Sequence, residues 1–575
     1  MQKEVYEFIS QKTNDLILEW RTCAVSGKDF AIFQSDKEFY EKISPSFGGK
    51  KYLIPFPTLC PEERARRRMA WRNERSFYKA TCAVSGRSLI SIISPDSGYT
   101  IYSPEFWLSD DYDFSLYAQE PHFSISFFQQ FSQLHKAVPK RNIVVGGWSE
   151  NCDYVNGVGG SKDCYMIFET SNADHCYFSN SVNSSSYCVD CYFTEESEQC
   201  YECIYCLHCN ACQYGYECIN CAESYRLSHC QNCKNCIAST NIDNQQYCIF
   251  NKQYTKEQYY EENGSVLGDR TWIEQRLLQH TSYPSLKMEW CEGCIGNRIY
   301  YSSNAICSHE VRDVQDVRYA TLLINDAKDC RDIDGVGNHI TRVYESAVVN
   351  KFCDNILFSF DTRNNCRDLQ YCVSCKKCEQ CFMCHGLIGK AYCILNKQYT
   401  KKQYETLIPR IIDKMMQDEE WGEFFPIVLS PFAYTDTVAH SNLPLTDQEI
   451  IERWYTSQIK KVETSWLHMT IHWNDLPISI NEVHDDILNK VIICKVSWKP
   501  YRIIKQELDF YRKHQISLPG KHPDIRHKER LEKRPQRNLY LRACDKTWEK
   551  ILSVYPAWVP LRVYSEDVYK QEVFG

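Results

Sequence analysis

Between residues 152 and 248, small apolar side chains occupy every third position, and the arrangement repeats with a period of 12 residues. Cys152, Cys164, Cys176, Cys188, Cys200, Cys212, Cys236 and Cys248 fall in one column, interrupted only by Ser224. Cys191 and Cys203 share a second column, Cys206, Cys218 and Cys230 a third, and Cys209, Cys221 and Cys233 a fourth. Where a column lacks cysteine it holds residues such as Val155, Ile167, Val182, Ala173 and Ser185. A repeat this short is a stacked coil, one unit per turn. Twelve residues with every third side chain turned inward make a narrow β-solenoid whose interior admits only small side chains. Cysteine suits it as a small, mostly buried hydrophobe. The competing reading is a string of zinc knuckles built on pairs such as Cys200/Cys203 and Cys218/Cys221. Knuckles need no fixed phase carried through cysteine-poor stretches, so the pattern favours the solenoid.

A second cysteine block runs from 291 to 393. Cys375, Cys378 and Cys381 repeat Cys230, Cys233 and Cys236 at an offset of 145, but upstream the period slips, with Cys307, Cys330 and Cys353 each 23 apart. Both blocks end alike, in CIFNKQYTKEQYYE (248–261) and CILNKQYTKKQYET (393–406). Thr255 with Gln258 and Thr400 with Gln403 read as capping boxes. Each predicts a helix that closes its solenoid and shields the edge strand.

The two ends of the chain are copies of each other. Cys23 to Lys42 matches Cys494 to Lys513 at an offset of 471, and Cys60 to Trp107 matches His522 to Tyr569 at 462. Each end reads as two remnants of zinc fingers, because Cys23, Cys82 and Cys544 are followed three residues later by Ser26, Ser85 and Thr547. Hydroxyls are poor zinc ligands beside thiolate or imidazole, so the end-module zinc sites read as lost. Cys494 with His522 and His527 offers at most a weak three-ligand set. Between the remnants lies a basic helix, with Pro61 suited to its first position. Arg64, Arg68, Arg72, Arg75 and Lys79 recur at helical spacing, and Arg526, Arg530, Arg534 and Arg537 repeat the stripe. Two such stripes are candidate nucleic-acid-binding footprints for phosphate backbones. The alternatives are a solvated face, or arginines paired with the protein's own carboxylates.

The whole chain of 575 residues carries a net charge of −8, so no global basic field advertises nucleic acid. It has no apolar run long enough to span a bilayer, and its first twenty residues lack the layout of a signal peptide. Those features predict a cytoplasmic protein without membrane insertion. Of its 33 cysteines, 28 lie in the two blocks. In a reducing compartment such an excess means packing or metal more than disulfides. Stacked thiols six residues apart, such as Cys200/Cys206, Cys203/Cys209, Cys230/Cys236 and Cys375/Cys381, are expected to face each other across the coil. Three fates stand open for them: disulfides, a soft metal such as zinc, or inert burial. The candidate metal ligands are Cys200, Cys203, Cys206, Cys209, Cys218, Cys221, Cys230, Cys233, Cys236, Cys375, Cys378 and Cys381. Catalytic motifs are thin. The glycines of Gly157-Val-Gly159-Gly160-Ser-Lys162 lack the order of a phosphate loop and read as turns. Asp332-Ile-Asp334-Gly335 lacks the remaining ligands of a calcium loop. An outward ladder of Tyr165, Tyr177, Tyr201 and Tyr225 is expected to pack beneath the chain's own helices, the alternative being that it binds bases, sugars or partner helices.

The run CPEERARRRMAWRNERSFY, the tyrosine–cysteine coils, the NKQYTK ends and EWGEFFPIVLSPFAY resemble one family along nearly the whole chain. It is the cysteine-rich, zinc-ribbon-like family predicted in genomes of candidate-phyla (ultra-small) bacteria, which carries no assigned activity. The resemblance implies full C-x-x-C pairs in the end modules, and this chain departs from them at Ser26, Glu63, Ser85, Ser103, Phe106, Thr547, Ser565 and Val568.

The sequence therefore predicts a mixed α+β protein with two narrow cysteine-rich β-solenoids of 12-residue coils, closed by helices and flanked by duplicated, degenerate zinc-finger-like α+β end modules. The boundaries are an N-terminal basic module at 1–140, solenoid 1 at 141–251, a helical connector at 252–290, solenoid 2 at 291–396, a helical and irregular connector at 397–480, and the C-terminal duplicate at 481–575. The expected function is non-enzymatic: a scaffold or binding protein whose basic ends contact RNA or a ribonucleoprotein. Two alternatives are a metal- or redox-buffering protein using the solenoid thiols, and a purely structural or self-assembling scaffold with protein partners.

Overall fold

A computed structural model describes residues 1–575 except 110, 267–269, 329–330, 336–340, 343, 347–348, 351–356, 358–361, 364–366, 459–468 and 575. Cys330, Cys353 and Cys366 lie outside the described residues. The chain divides into two compact units, each assembled from three segments. One combines Met1–Asn142, Pro284–Ser457 and Gln536–Glu566, and is called here the N-terminal unit. The other, the C-terminal unit, combines Ile143–Tyr283, Gln458–Pro535 and Asp567–Gly575. The segment from residue 481 onward is thus shared between the two.

In the C-terminal unit, residues 145–249 form a β-solenoid. Parallel bridges link residues twelve apart, as in Tyr165↔Tyr177↔Val189↔Tyr201↔Gln213↔Tyr225. The building block is a triplet. Tyr201 bridges to the next coil, Glu202 turns the chain at φ 49°, and Cys203 points inward, fully buried. Four such left-handed corners close one coil. An ordinary L-residue loses about 1–2 kcal/mol in that conformation. Here the backbone ladder offsets the loss: Tyr201 N–H donates to Cys212 O at 3.0 Å, and Glu202 N–H to Val189 O at 3.1 Å. Residues that tolerate positive φ occupy many corners, among them Asp190, His208, Asn220, His229 and Asn232. Gly157 and Gly160 are corners too, at φ 70° and 63°. A Cβ at Gly157 would stand 3.2 Å from the Glu169 backbone nitrogen of the next coil, a tight approach that glycine avoids.

The interior of this stack is a continuous cluster of Cys164, Cys176, Cys188, Cys191 and the later thiols, together with Val155, Ile167 and Leu227. Inward serines are satisfied in the same frame: Ser224 Oγ donates to Ala222 O at 2.7 Å and accepts from Cys236 N–H at 3.1 Å. The stack ends in a hairpin of Cys248–Ile249 with Lys252–Gln253. The helix Lys256–Val266 follows, with reciprocal Thr255–Gln258 bonds at 3.2 and 3.3 Å. Outside the coils, Tyr177, Phe178, Val189 and Tyr201 share one apolar cluster with Leu508, Phe510 and Tyr511. The tyrosine ladder is therefore covered at Tyr177 and Tyr201, while Tyr165 and Tyr225 are half-buried.

In the N-terminal unit, coils of the same kind recur among the described residues of 288–394, but their length varies. Bridged residues are 11 apart at Met288↔Ile299, 12 apart at His309↔Thr321, 13 apart at Asp332↔Glu345 and 12 apart again at Cys381↔Cys393. Coils of uneven length accord with a cysteine period that slips in this block. Around the coils lie the helices Pro61–Met69, Phe127–Ala137 and Lys401–Gln417, the last opened by a full Thr400–Gln403 capping box. A large aromatic core that includes Trp71, Phe127, Phe131, Tyr371, Phe424 and Phe425 joins them to the coils.

Candidate functional site

The arginine stripes are the strongest charge feature of the sequence, and the structure buries most of them. Pro61–Met69 begins at Cys60 with Pro61 in its first turn. Arg64 lies in a bidentate pair with Asp332, at 2.7 and 3.2 Å, and donates to Leu59 O at 2.8 Å. Arg68 donates from Nε to Asp334 at 2.8 Å, and Arg72 donates to the Asp334 carbonyl at 2.9 Å. Arg67, which lies outside the predicted stripe, joins the same array, reaching Glu345 at 2.7 Å and Glu423 at 2.6 Å. Arg64, Arg67, Arg68 and Arg72 are all buried, Arg75 is half-buried and Lys79 is exposed. The acidic pair Asp332/Asp334, which resembled a fragment of a calcium loop, is the counter-charge of this helix.

The duplicate helix Pro523–Glu532 does the same in the C-terminal unit. Arg526 pairs with Asp190 and, at 3.2 Å, with Glu507, and donates to Tyr511 Oη at 3.0 Å. Arg530 reaches the other oxygen of Asp190 at 2.8 Å and donates to Phe178 O at 3.2 Å. Arg534, half-buried, donates to Tyr192 Oη at 2.7 Å. Arg537 belongs to the N-terminal unit, where its Nε meets Glu310 at 3.0 Å. Burial works against the charge of Arg64 and Arg526, and Asp332 and Asp190 more than compensate, holding both guanidiniums well above their ordinary range. Of the residues expected to form a phosphate-binding face, Arg64, Arg68, Arg72, Arg526 and Arg530 are buried. Their charges point into the protein, onto its own carboxylates.

The thiol columns are inward, as the period requires. Cys200, Cys203, Cys206, Cys209, Cys218, Cys221, Cys230, Cys233, Cys236, Cys375, Cys378 and Cys381 are all at most 1 % exposed. The thirty described cysteines are free thiols. Their contacts run to neighbours on the next side of the coil and on adjacent coils: Cys200 meets Cys188 and Cys203, and Cys206 meets Cys203, Cys209 and Cys218. Thiols three apart and twelve apart recur as these contacts. The sulfurs also donate weakly to carbonyls, as Cys203 Sγ does to Cys212 O at 3.2 Å. Burial pushes the Cys203 and Cys230 thiols well up, whereas hydrogen bonds from neighbouring thiols hold Cys200 and Cys233 below the ordinary thiol range.

Among the described residues, no three thiols bring their sulfurs within 4.8 Å of one another. Among the described residues, the three ligand atoms that lie within 4.8 Å of one another are those of Asp163, Asp174 and His175. There His175 Nδ1 already bonds Asp174 at 2.8 Å.

The four cysteines Cys23, Cys82, Cys494 and Cys544 share one turn geometry. In each, the residue four after the cysteine donates to its carbonyl and sits left-handed: Gly27, Gly86, Trp498 and Trp548, at φ 57–68°. The sulfurs accept backbone N–H groups, from Ser103 to Cys82 at 3.5 Å and from Ser565 to Cys544 at 3.4 Å. Burial raises the Cys82 and Cys544 thiols, and bonds from Ser85 or Thr547 and from backbone amides more than offset it, to about 6 and about 7. Cys494, His522 and His527 do not converge as a three-ligand set. Among the described residues, no helix is long and apolar enough to cross a membrane.

No protein-family model matches this sequence, and no curated protein is similar to it.

Proposed function

We propose that the protein is a non-enzymatic scaffold whose arginine helices act as internal clamps on its coil stacks. One observation carries the reading: both copies of the basic helix spend their guanidiniums on buried carboxylates of coil residues, Asp332 and Asp334 in one unit and Asp190 in the other. A buried arginine–carboxylate array fixes register more than it adds stability. Releasing it toward a nucleic acid would strand the carboxylates without partners. The duplication thus repeats a fastening device, one per unit.

A mobility-shift titration with single-stranded RNA and duplex DNA at low salt tests the proposal. No saturable binding is expected. Saturable binding lost in a folded Arg64→Glu/Arg68→Glu variant would replace the clamp with a nucleic-acid interface.

A further inference from the structure

The tyrosine ladder of the C-terminal unit is covered at Tyr177 and Tyr201, where Tyr511 and Phe510 pack at ring distances of 5.7 and 6.1 Å from Tyr201. At Tyr165 the cover stops. A cavity of about 520 Å³ opens there between the coils and the segment 488–523. Its walls include three aromatic rings, Tyr165, Phe178 and Tyr501. Tyr165 and Phe178 meet edge-on at 5.6 Å and 72°. Tyr501 stands edge-on to His522 at 6.0 Å and is anchored by its hydroxyl, which donates to Pro519 O.

The rim is cationic. Arg502 and Lys505 are both exposed, and no carboxylate is among the lining residues. Lys505 is engaged by Asp509 at 3.0 Å. Arg502 has no hydrogen-bond or ion-pair partner among the described residues, which leaves its guanidinium available to an incoming anion. The volume lies within the roughly 300–1,000 Å³ of small-molecule sites, which pair apolar walls with a few polar groups that fix orientation. Aromatic walls select a flat ring, and a guanidinium at the mouth selects an oxyanion by bidentate bonding.

We propose that this cavity is a ligand site for a planar aromatic anion, a ring held among Tyr165, Phe178 and Tyr501 with its phosphate or carboxylate on Arg502. The site goes beyond the scaffold reading, and neither depends on the other.

Calorimetric titration of the full-length protein tests it with four probes: adenosine 5′-monophosphate, indole-3-acetate, adenosine and inorganic phosphate. One or both aromatic anions should bind with a Kd below about 1 mM. Adenosine and phosphate should each bind at least tenfold more weakly. Binding by the nucleotide alone assigns a phosphorylated ligand, and binding by both assigns the wider class. Because Arg502 is exposed, Arg502→Glu should keep the fold and its Tm while weakening binding at least tenfold. Tyr165→Ala should weaken it comparably. If Tyr165→Ala unfolds, Ile504→Trp, which fills the cavity, should block binding in its place. The proposal is overturned if neither aromatic anion binds, if phosphate alone binds as tightly as the nucleotide, or if Arg502→Glu leaves affinity unchanged.

Discussion

In the coil stack of residues 145–249 the interior is mostly thiols, whereas the stretch 295–333 of the other stack is packed by Ile299, Val311, Val314, Val317 and Ile333. The thiol-filled stack keeps a 12-residue register from Asp153 to Ile249. The aliphatic one runs in coils of 11 to 13 residues, with register shifts between Ile295 and Gly296 and between Arg312 and Val314. Its strands are also longer, up to the ten residues of Ile306–Gln315. Side-chain volume accounts for the contrast. Coil after coil of branched aliphatic residues needs more width than thiols do, whereas Val155, Ile167 and Leu227 of the regular stack each share a coil with a small Ser161, Thr170 or Ser224. Thiols keep coils identical, and identical coils keep the outer columns in phase. Both stacks nevertheless receive the same fastening, an arginine helix on buried acids.

The largest effect that would break this comparison is expected from removing one clamp. Arg526→Met leaves Asp190 and Glu507 as buried acids with a partner lost, and breaking such an array costs about 3–5 kcal/mol. Hydrogen exchange followed by mass spectrometry should show amides of 177–203 losing protection while those of 295–315 keep theirs. Arg64→Met should produce the reverse pattern. Loss of protection in both stacks from either variant would mean the two units do not hold their arrays separately.

The next effect depends on pH. Burial depresses His309 in the N-terminal unit to about 4, against an unfolded value near 6.5. The unfolded chain therefore takes up a proton that the folded chain rejects, so the contribution is intact above pH 6.5 and is lost as pH falls toward 4. Relative to His309→Phe, the native chain should lose up to roughly 3 kcal/mol across that window. Denaturant titrations of both proteins at several pH values would read the difference directly, and a constant difference would show that folding leaves the His309 pKa unshifted.

A smaller effect concerns coil width. Gly215 is the one glycine in an inward column of the regular stack, and a Cβ there would lie 2.8 Å from Cys212 Sγ and 3.1 Å from Cys206 Sγ. Gly215→Val should cost about 1–3 kcal/mol by overpacking. A Tm equal to that of the native chain would show that the thiol interior has slack, and the volume argument would fall.

Much of this fold was legible in the sequence because the inward columns repeat one residue type. Cys176, Cys188 and Cys200 mark the same wall of successive coils, so period, handover from coil to coil and burial could all be read from spacing. The corners carried a second signal that went unused: Asp190, Asn220, His229 and Asn232 stand one residue before an inward position, and Asn, Asp and His are the side chains that accept positive φ. The fate of the arginines was not legible. Helical spacing shows that Arg64 and Arg68 share a face, but their acceptors lie 268 and 266 residues away, and the partner of Arg526 lies 336 residues away. Nothing in local pattern distinguishes a guanidinium aimed at phosphate from one aimed at a distant aspartate. For the thiols, likewise, spacing identifies a wall of the coil and not which neighbour, on the same coil or the next, a sulfur touches, as Cys206 does with Cys203, Cys209 and Cys218.

The most direct test of the clamp is arginine accessibility in the folded protein. Brief modification with phenylglyoxal, mapped by mass spectrometry, should label the exposed Arg87 and Arg502 and spare Arg64, Arg68, Arg526 and Arg530 until denaturant is added. Labelling of those four at the rate of Arg502 would contradict the account, because it would place their charges in solvent and return them to the role of a binding surface.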